Sequence, residues 1–210
     1  VDPIGKVSGR RRERDELLAW LVRSWQRCLA NGHQPAQPLA FNMVSAPAVL
    51  LADDLMVGTK PVLKQMVEQF EHWRASILAV QEVPPEQTKR YGIVAGTAVT
   101  DQLIDVSRIV EKPAPEVAPS RLGVAGRYIL TPGIFDEIRA QPRGVGNEIQ
   151  LTDGIASILR REKVFAFQYE GKRYDCGSKE GFLEANVELA LKHPQVGQWF
   201  KGYLSQLKLD

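Results

Sequence analysis

Cysteine is nearly absent. Two residues, Cys28 and Cys176, stand far apart in 210 residues with no Cys-x-x-Cys spacing, which points to free thiols in a reducing compartment. Charge of one sign is also lacking: 27 Lys and Arg balance 25 Asp and Glu, for a net charge of +2. Nothing global therefore points to a nucleic-acid or membrane partner. No apolar run approaches the roughly 18 residues that span a bilayer. The N-terminus, Val-Asp-Pro-Ile followed by Arg10, Arg11, Arg12 and Arg14, has no signal-peptide core. A cytoplasmic protein is expected. The three histidines, His33, His72 and His193, lie outside every motif described below.

What is present is ordinary globular composition, 44% hydrophobic and 25% charged, in a chain long enough to bury a sizeable core. Residues 1–46 differ in character from the rest. Leu17, Leu18, Leu21, Trp25 and Leu29 recur at helical spacing and predict a helix over Arg14–Leu29, followed by a loop-like Asn31–Pro38. From Pro47 the pattern becomes α/β. Ala48–Leu51 reads as a short buried parallel strand ending in Asp53-Asp54. Lys60–Trp73 reads as a helix with Pro61 in its first turn and Leu63, Val67 and Phe70 on its apolar face. Strands are expected over Ser76–Val83, Gly92–Val99, Leu103–Val110, Gly123–Leu130 and Val164–Tyr169. Thr131 is expected to cap a helix, residues 141–147 form a Gly-rich loop, and helices follow over Leu151–Arg161 and Lys179–Leu191. Phe182, Val187, Leu189 and Ala190 would give the last its apolar face. Strands alternating with helices imply a mixed α/β sheet.

Four short motifs carry chemistry. Leu50-Leu51-Ala52-Asp53-Asp54 sets acids after a strand, where α/β sheets bind ligands and a carboxylate can hold Mg²⁺; a turn-capping aspartate fits equally. Arg90-Tyr91-Gly92 starts a strand with a residue that admits close ligand approach, or simply turns the chain. Glu111-Lys112-Pro113 offers an acceptor for sugar hydroxyls and a point charge for a phosphate, or a solvated surface pair. Arg173-Tyr174-Asp175-Cys176-Gly177-Ser178-Lys179 places an acid before a helix start; Asp175 there fits a second metal ligand and Lys179 a phosphate contact, or the segment is an Asp–Gly turn capped by Ser178. Cys176 reads as a small buried packing residue.

The order and spacing of Leu-Ala-Asp-Asp, Tyr-Gly-Ile-Val, Glu-Lys-Pro, Gly-Arg-Tyr-Ile-Leu-Thr-Pro, Glu148–Asp153 (Glu-Ile-Gln-Leu-Thr-Asp) and Tyr174–Lys179 (Tyr-Asp-Cys-Gly-Ser-Lys) resemble the bacterial UTP–glucose-1-phosphate uridylyltransferases over about three quarters of the chain. The resemblance implies a Rossmann-like mixed sheet of the sugar nucleotidyltransferase type, with UTP and glucose 1-phosphate as ligands, Mg²⁺ as cofactor and a homo-oligomeric state. By matching position it implies Asp53 and Asp175 as metal ligands, with Asp54 the alternative to Asp53. Gly92 and Glu111 would hold glucose, Lys112 would contact its phosphate, and Tyr128 and Glu148 would line the sugar pocket. Lys112 and Asp53 would be the catalytic residues, and Lys179 a substrate contact. A related transferase using dTTP fits less well, because Asp-Cys-Gly-Ser-Lys is characteristic of the uridylyltransferases.

The resemblance fails near the start. The family's Gly-x-Gly-Thr-Arg loop, Pro-Lys-Glu-Met-Leu segment and Gly-Leu-Gly-His-Ala segment have no counterpart in this sequence. Residues 1–46 are therefore expected to be foreign to the family, as a fragment, a rearranged gene or a shifted reading frame would leave them, and residues 47–210 to be the C-terminal part of the nucleotidyltransferase domain. Such a sheet would lack its N-terminal nucleotide-loop strands and leave Ala48–Leu51 at an exposed edge. A catalytically inactive sugar-phosphate-binding fragment is the alternative to an active enzyme.

Overall fold

A computed structural model describes residues 46–142 and 149–207. The helix expected over Arg14–Leu29 and most of the expected loop at 141–147 lie outside the described residues. Strand β1 (Ala48–Leu50) is followed by β2 (Asp54–Val57), α1 (Val62–Trp73), β3 (Ser76–Glu82), a 3-10 turn (Pro85–Arg90), and the hairpin β4 (Gly92–Ala98) and β5 (Leu103–Glu111). Then come β6 (Leu122–Ile129), α2 (Ile134–Ala140), α3 (Leu151–Ile158), β7 (Val164–Gln168), β8 (Lys172–Asp175), α4 (Lys179–Lys192) and α5 (Gly197–Gln206).

Among the described residues six strands form one mixed sheet in the order β1-β6-β3-β7-β5-β4, and β4 pairs back onto β6. Among the described residues, only β3 and β7 run parallel. Successive side chains of a strand point to opposite faces, and here both faces are covered. Ile77, Ala79, Phe165 and Phe167 pack with Val62 and Met66 of α1. Leu78, Val80, Val164 and Ala166 pack with Ile134 and Ile138 of α2 and Ile155 and Ile158 of α3. Burial on both faces explains why β3 and β7 read as continuous apolar runs.

Several expectations change. The segment at Ala48–Leu50 is not a buried parallel strand: it pairs antiparallel with β6 at the edge of the sheet formed by the described residues, buries Val49 and leaves Leu50 46% exposed. A short apolar run carries no signal that separates the two cases. On α1 the buried face is centred on Val62 and Met66; Leu63 and Phe70 join it as expected, whereas Val67 is 38% exposed. Thr131 does not cap α2, whose cap position is Gly133 without a side-chain bond. The Thr131 hydroxyl instead bonds Glu162 and lies against the Ser76 hydroxyl. The Ser178 cap is present, its hydroxyl accepting from the Gly181 amide at 3.1 Å. Helix α4 buries only Ala185, and Phe182 and Val187 stand exposed.

Polar contacts therefore secure α4. Lys172 of β8 bonds both Glu184 and Glu188, Tyr174 donates to Glu188 at 2.9 Å, and the Lys172 ammonium sits over the Tyr174 ring. The hydrogen bonds from Lys172 and Tyr174 pull the Glu188 carboxyl down to about 2. A lowered carboxyl contributes stability above its unfolded value and loses it as pH falls through the folded one. Glu188→Gln should therefore melt at lower temperature than the parent at pH 7. The gap should close as pH is lowered from about 4.5 through about 2 in thermal denaturation.

Candidate active site

Strands β2 and β8 form a separate two-stranded antiparallel sheet with Asp54 opposite Asp175. Its short register brings two distant acidic segments together, and the Cys176 amide donates to the Asp53 carbonyl at 2.8 Å. The acids then take different environments. Asp54 is 4% exposed and bonds Arg173, its diagonal neighbour on β8. Burial pushes the Asp54 carboxyl up, and the Arg173 hydrogen bond and charge offset this only in part. Burial alone would lower Arg173, but the bond to Asp54 and its charge outweigh that and hold the guanidinium protonated. Asp53 is exposed and has no side-chain partner among the described residues. Asp175, half-buried, accepts from Arg90 Nη2 at 2.6 Å and from the Tyr91 hydroxyl at 3.1 Å.

Gly177 fits between Asp53 and Asp175, its amide donating to Asp175 Oδ1 at 3.2 Å. A Cβ there would lie 3.0 Å from Asp53 Oδ2 and 3.1 Å from Asp175 Oδ1. The two carboxylates thus flank a space that a side chain would fill. Magnesium suits that donor set, because it commonly takes one or two carboxylates and completes its shell with water and substrate phosphates. Among the described residues no cluster of three or more acids, histidines or cysteines forms a self-sufficient cage.

The opposite side comes from the β4–β5 hairpin. Gly92 faces Glu111 in register, and the Lys112 amide donates to the Tyr91 carbonyl at 3.0 Å. Lys112 adopts a left-handed backbone with φ of 45°, uncommon for a residue other than glycine and the kind of outlier that clusters at functional sites. Its ammonium lies 3.4 Å from Glu111 Oε1. Thr152, in the first turn of α3, donates to the other carboxylate oxygen at 2.6 Å. A Cβ on Gly92 would stand 3.2 Å from Thr152 Oγ1 and 3.4 Å from Glu111 Oε2, so glycine keeps this corner open.

Asp53, Gly92, Glu111, Lys112, Tyr128 and Asp175 all line one cavity of about 280 Å³. Asp54, Arg90, Tyr91, Thr152 and Arg173 line it too. Lys179 does not; it is exposed on the first turn of α4. Glu148 lies outside the described residues. Cys176 is a free, half-buried thiol. Thr152 escaped the sequence reading because it only orients Glu111, although it sits inside the Glu148–Asp153 motif. Arg90, Tyr91 and Arg173 sit inside motifs whose acids and glycines drew the assignment.

Comparison with known proteins agrees with this architecture. Residues 29–192 match the nucleotidyl transferase family, and the chain belongs to that family. Within it, the chain is a homologue of the UTP–glucose-1-phosphate uridylyltransferases. It is 43% identical over 162 residues to that of Staphylococcus epidermidis, spanning 77% of this chain and 56% of that protein. It is 51% identical over 140 residues to that of Pseudomonas aeruginosa, spanning 66% and 50%. The chain thus spans about half the length of these curated relatives. A UDP-glucose pyrophosphorylase solved with UDP-glucose superposes with a TM-score of 0.69 at 41% identity, over 73% of this chain and 59% of that one. The UTP-bound enzyme of Acinetobacter baumannii gives 0.70 at 32% identity, over 92% and 75%. No helix among the described residues is long and apolar enough to cross a membrane.

Removing one partner of a buried ion pair leaves an uncompensated charge at a cost of roughly 3–5 kcal/mol. Arg173→Met should lower stability by about that amount in urea denaturation, and adding Asp54→Asn should recover part of the loss. Equal losses in the single and double variants would count against the pair as the anchor of β2 and β8.

Proposed function

We propose that the chain transfers the uridylyl group of UTP to glucose 1-phosphate, yielding UDP-glucose and pyrophosphate. The observation that carries this reading is one cavity bounded by Gly92, Glu111 and Lys112 on one side and by Asp53 and Asp175 on the other, in a homologue of the uridylyltransferases. An oxygen of the sugar phosphate bonds to the α-phosphorus of UTP as the bond from that phosphorus to the departing pyrophosphate oxygen breaks. No protein group is covalently changed, so catalysis is positioning and charge neutralisation.

Glu111 accepts hydrogen bonds from sugar hydroxyls, with its carboxylate held in place by Thr152. Gly92 leaves room for the ring, and Tyr128 lines the cavity beside it. Lys112 offers its ammonium to the sugar phosphate, held ready by its left-handed backbone. Asp53 and Asp175 would hold Mg²⁺, and Asp54 is committed to Arg173. Magnesium, when bound, supplies charge that neutralises the phosphates. Glu148 and Lys179 are assigned no step. The proposed fold is the sugar nucleotidyltransferase version of the Rossmann-like sheet, and the proposed setting is cytoplasmic.

A second reading has one observation in its favour: the sequence contains no Gly-x-Gly-Thr-Arg loop. A chain with the sugar side of the site but no phosphate-cradling loop would bind glucose 1-phosphate without transferring to it. Pyrophosphate release from UTP, glucose 1-phosphate and Mg²⁺ separates the two. Transfer predicts release that Asp53→Ala lowers on the order of 100-fold or more. Binding of glucose 1-phosphate with no release decides for the sugar-binding module.

A further inference from the structure

Two aspartate–arginine pairs meet at the Tyr91 ring. Arg173 bonds Asp54 with side chains only 6% and 5% exposed. Arg90 bonds Asp175 with side chains 43% and 22% exposed. The guanidinium carbons of Arg173 and Arg90 lie 4.9 and 5.8 Å from the Tyr91 ring centroid, and the Tyr91 hydroxyl donates to the same Asp175 oxygen that Arg90 holds. Chemically alike, the pairs differ in what separation costs. The buried one is fixed, because opening it strands a charge in the interior. The exposed one exchanges readily, because water and ions replace either partner.

We infer that Arg90 is an exchangeable counter-ion for Asp175. It neutralises the acid until a divalent cation takes Asp53 and Asp175, and is then released to a phosphate of the ligand. The inference rests on the reading of those two acids as the cation site. Asp175 Oδ2 carries Arg90 and Tyr91, whereas Oδ1 accepts from the Gly177 amide at 3.2 Å and faces the Asp53 carboxylate. A cation bound at Oδ1 confronts the guanidinium across a single carboxylate, and the like charges repel. Arg90 has no second ion-pair partner among the described residues, and it lines the same cavity as Lys112. Its planar fork of donors matches a phosphate once freed. The exchange keeps Asp175 compensated at every stage and withholds one phosphate-binding charge until the cation has arrived.

The test uses the full chain with Mn²⁺ as the probe, titrated without nucleotide and followed by the resonance signal of free Mn²⁺. Arg90→Gln should tighten Mn²⁺ binding roughly three- to tenfold, and Arg90→Lys should fall between it and the parent. With Mn²⁺ saturating, Arg90→Gln should weaken binding of glucose 1-phosphate, measured by calorimetry, by a similar factor. Unchanged or weaker Mn²⁺ binding in Arg90→Gln, undiminished glucose 1-phosphate binding, or absence of any Mn²⁺ binding lost in Asp53→Ala would each overturn the inference. The two ideas fail separately. Asp53-dependent Mn²⁺ binding that Arg90→Gln tightens, in a chain releasing no pyrophosphate, upholds the counter-ion role and rejects the transferase. Pyrophosphate release with Mn²⁺ affinity indifferent to Arg90 does the reverse.

Discussion

The buried pair of Asp54 and Arg173 is the constraint on which the site's geometry depends. It joins the two strands of the small sheet diagonally and lies against the large one. A Cβ on Gly126 of β6 would overlap Asp54 Oδ2, so the carboxylate occupies space that glycine leaves. Arg127, next on β6, donates to the carbonyls of Leu51 and Asp54. The acidic side of the cavity is thereby tied to β6 of the main sheet by polar contacts, while Met56 of β2 packs on the apolar core. Burying these ions is costly unless each is paired and hydrogen-bonded, and both conditions are met here. The same commitment ties up Asp54 and leaves Asp53 and Asp175 as the acids that face the cavity from this side.

Division of labour between neighbouring residues recurs around the cavity. Asp53 and Asp54 are adjacent in sequence yet one is exposed and the other buried, because Asp53 lies in the turn before β2 and Asp54 opens the strand. Glu111 and Lys112 are also adjacent, and the left-handed turn at Lys112 brings both charged groups to one cavity where continued strand would have sent them to opposite faces. Thr152 completes that corner from a different element.

Elements with strong local signals were legible in the sequence. The β4–β5 hairpin was, because a polar turn at Thr100-Asp101 separates two apolar runs. So were β3 and β7, whose double-sided burial leaves uninterrupted apolar sequence. Strands β2 and β8 were not: each has four residues and both carry charge, so neither length nor periodicity marks them. The edge position of β1 depends on pairing partners that no local pattern encodes. In the site, Asp53, Gly92, Glu111, Lys112, Tyr128 and Asp175 were named from motifs, and the structure gathers them in one cavity. Motifs do not encode which acid is spent on a neighbour, nor that Thr152 and Tyr91 hold Glu111 and Asp175. Such bonds join elements far apart in the chain. Lys179, drawn in by its place beside Asp175, lies outside the cavity.

The return of β4 onto β6 has a mechanical consequence. Pairings run from β6 through β3, β7, β5 and β4 back to β6, so the hairpin bearing Gly92 and Glu111 is braced from two directions. The acids ride instead on a two-strand ribbon whose ladder does not join that circuit. One jaw of the cavity is held by a closed circuit of backbone pairings and the other by side-chain contacts to β6. The width of the gap is therefore set by how Asp54 and Arg127 seat the ribbon on β6, not by any ladder that spans the cavity.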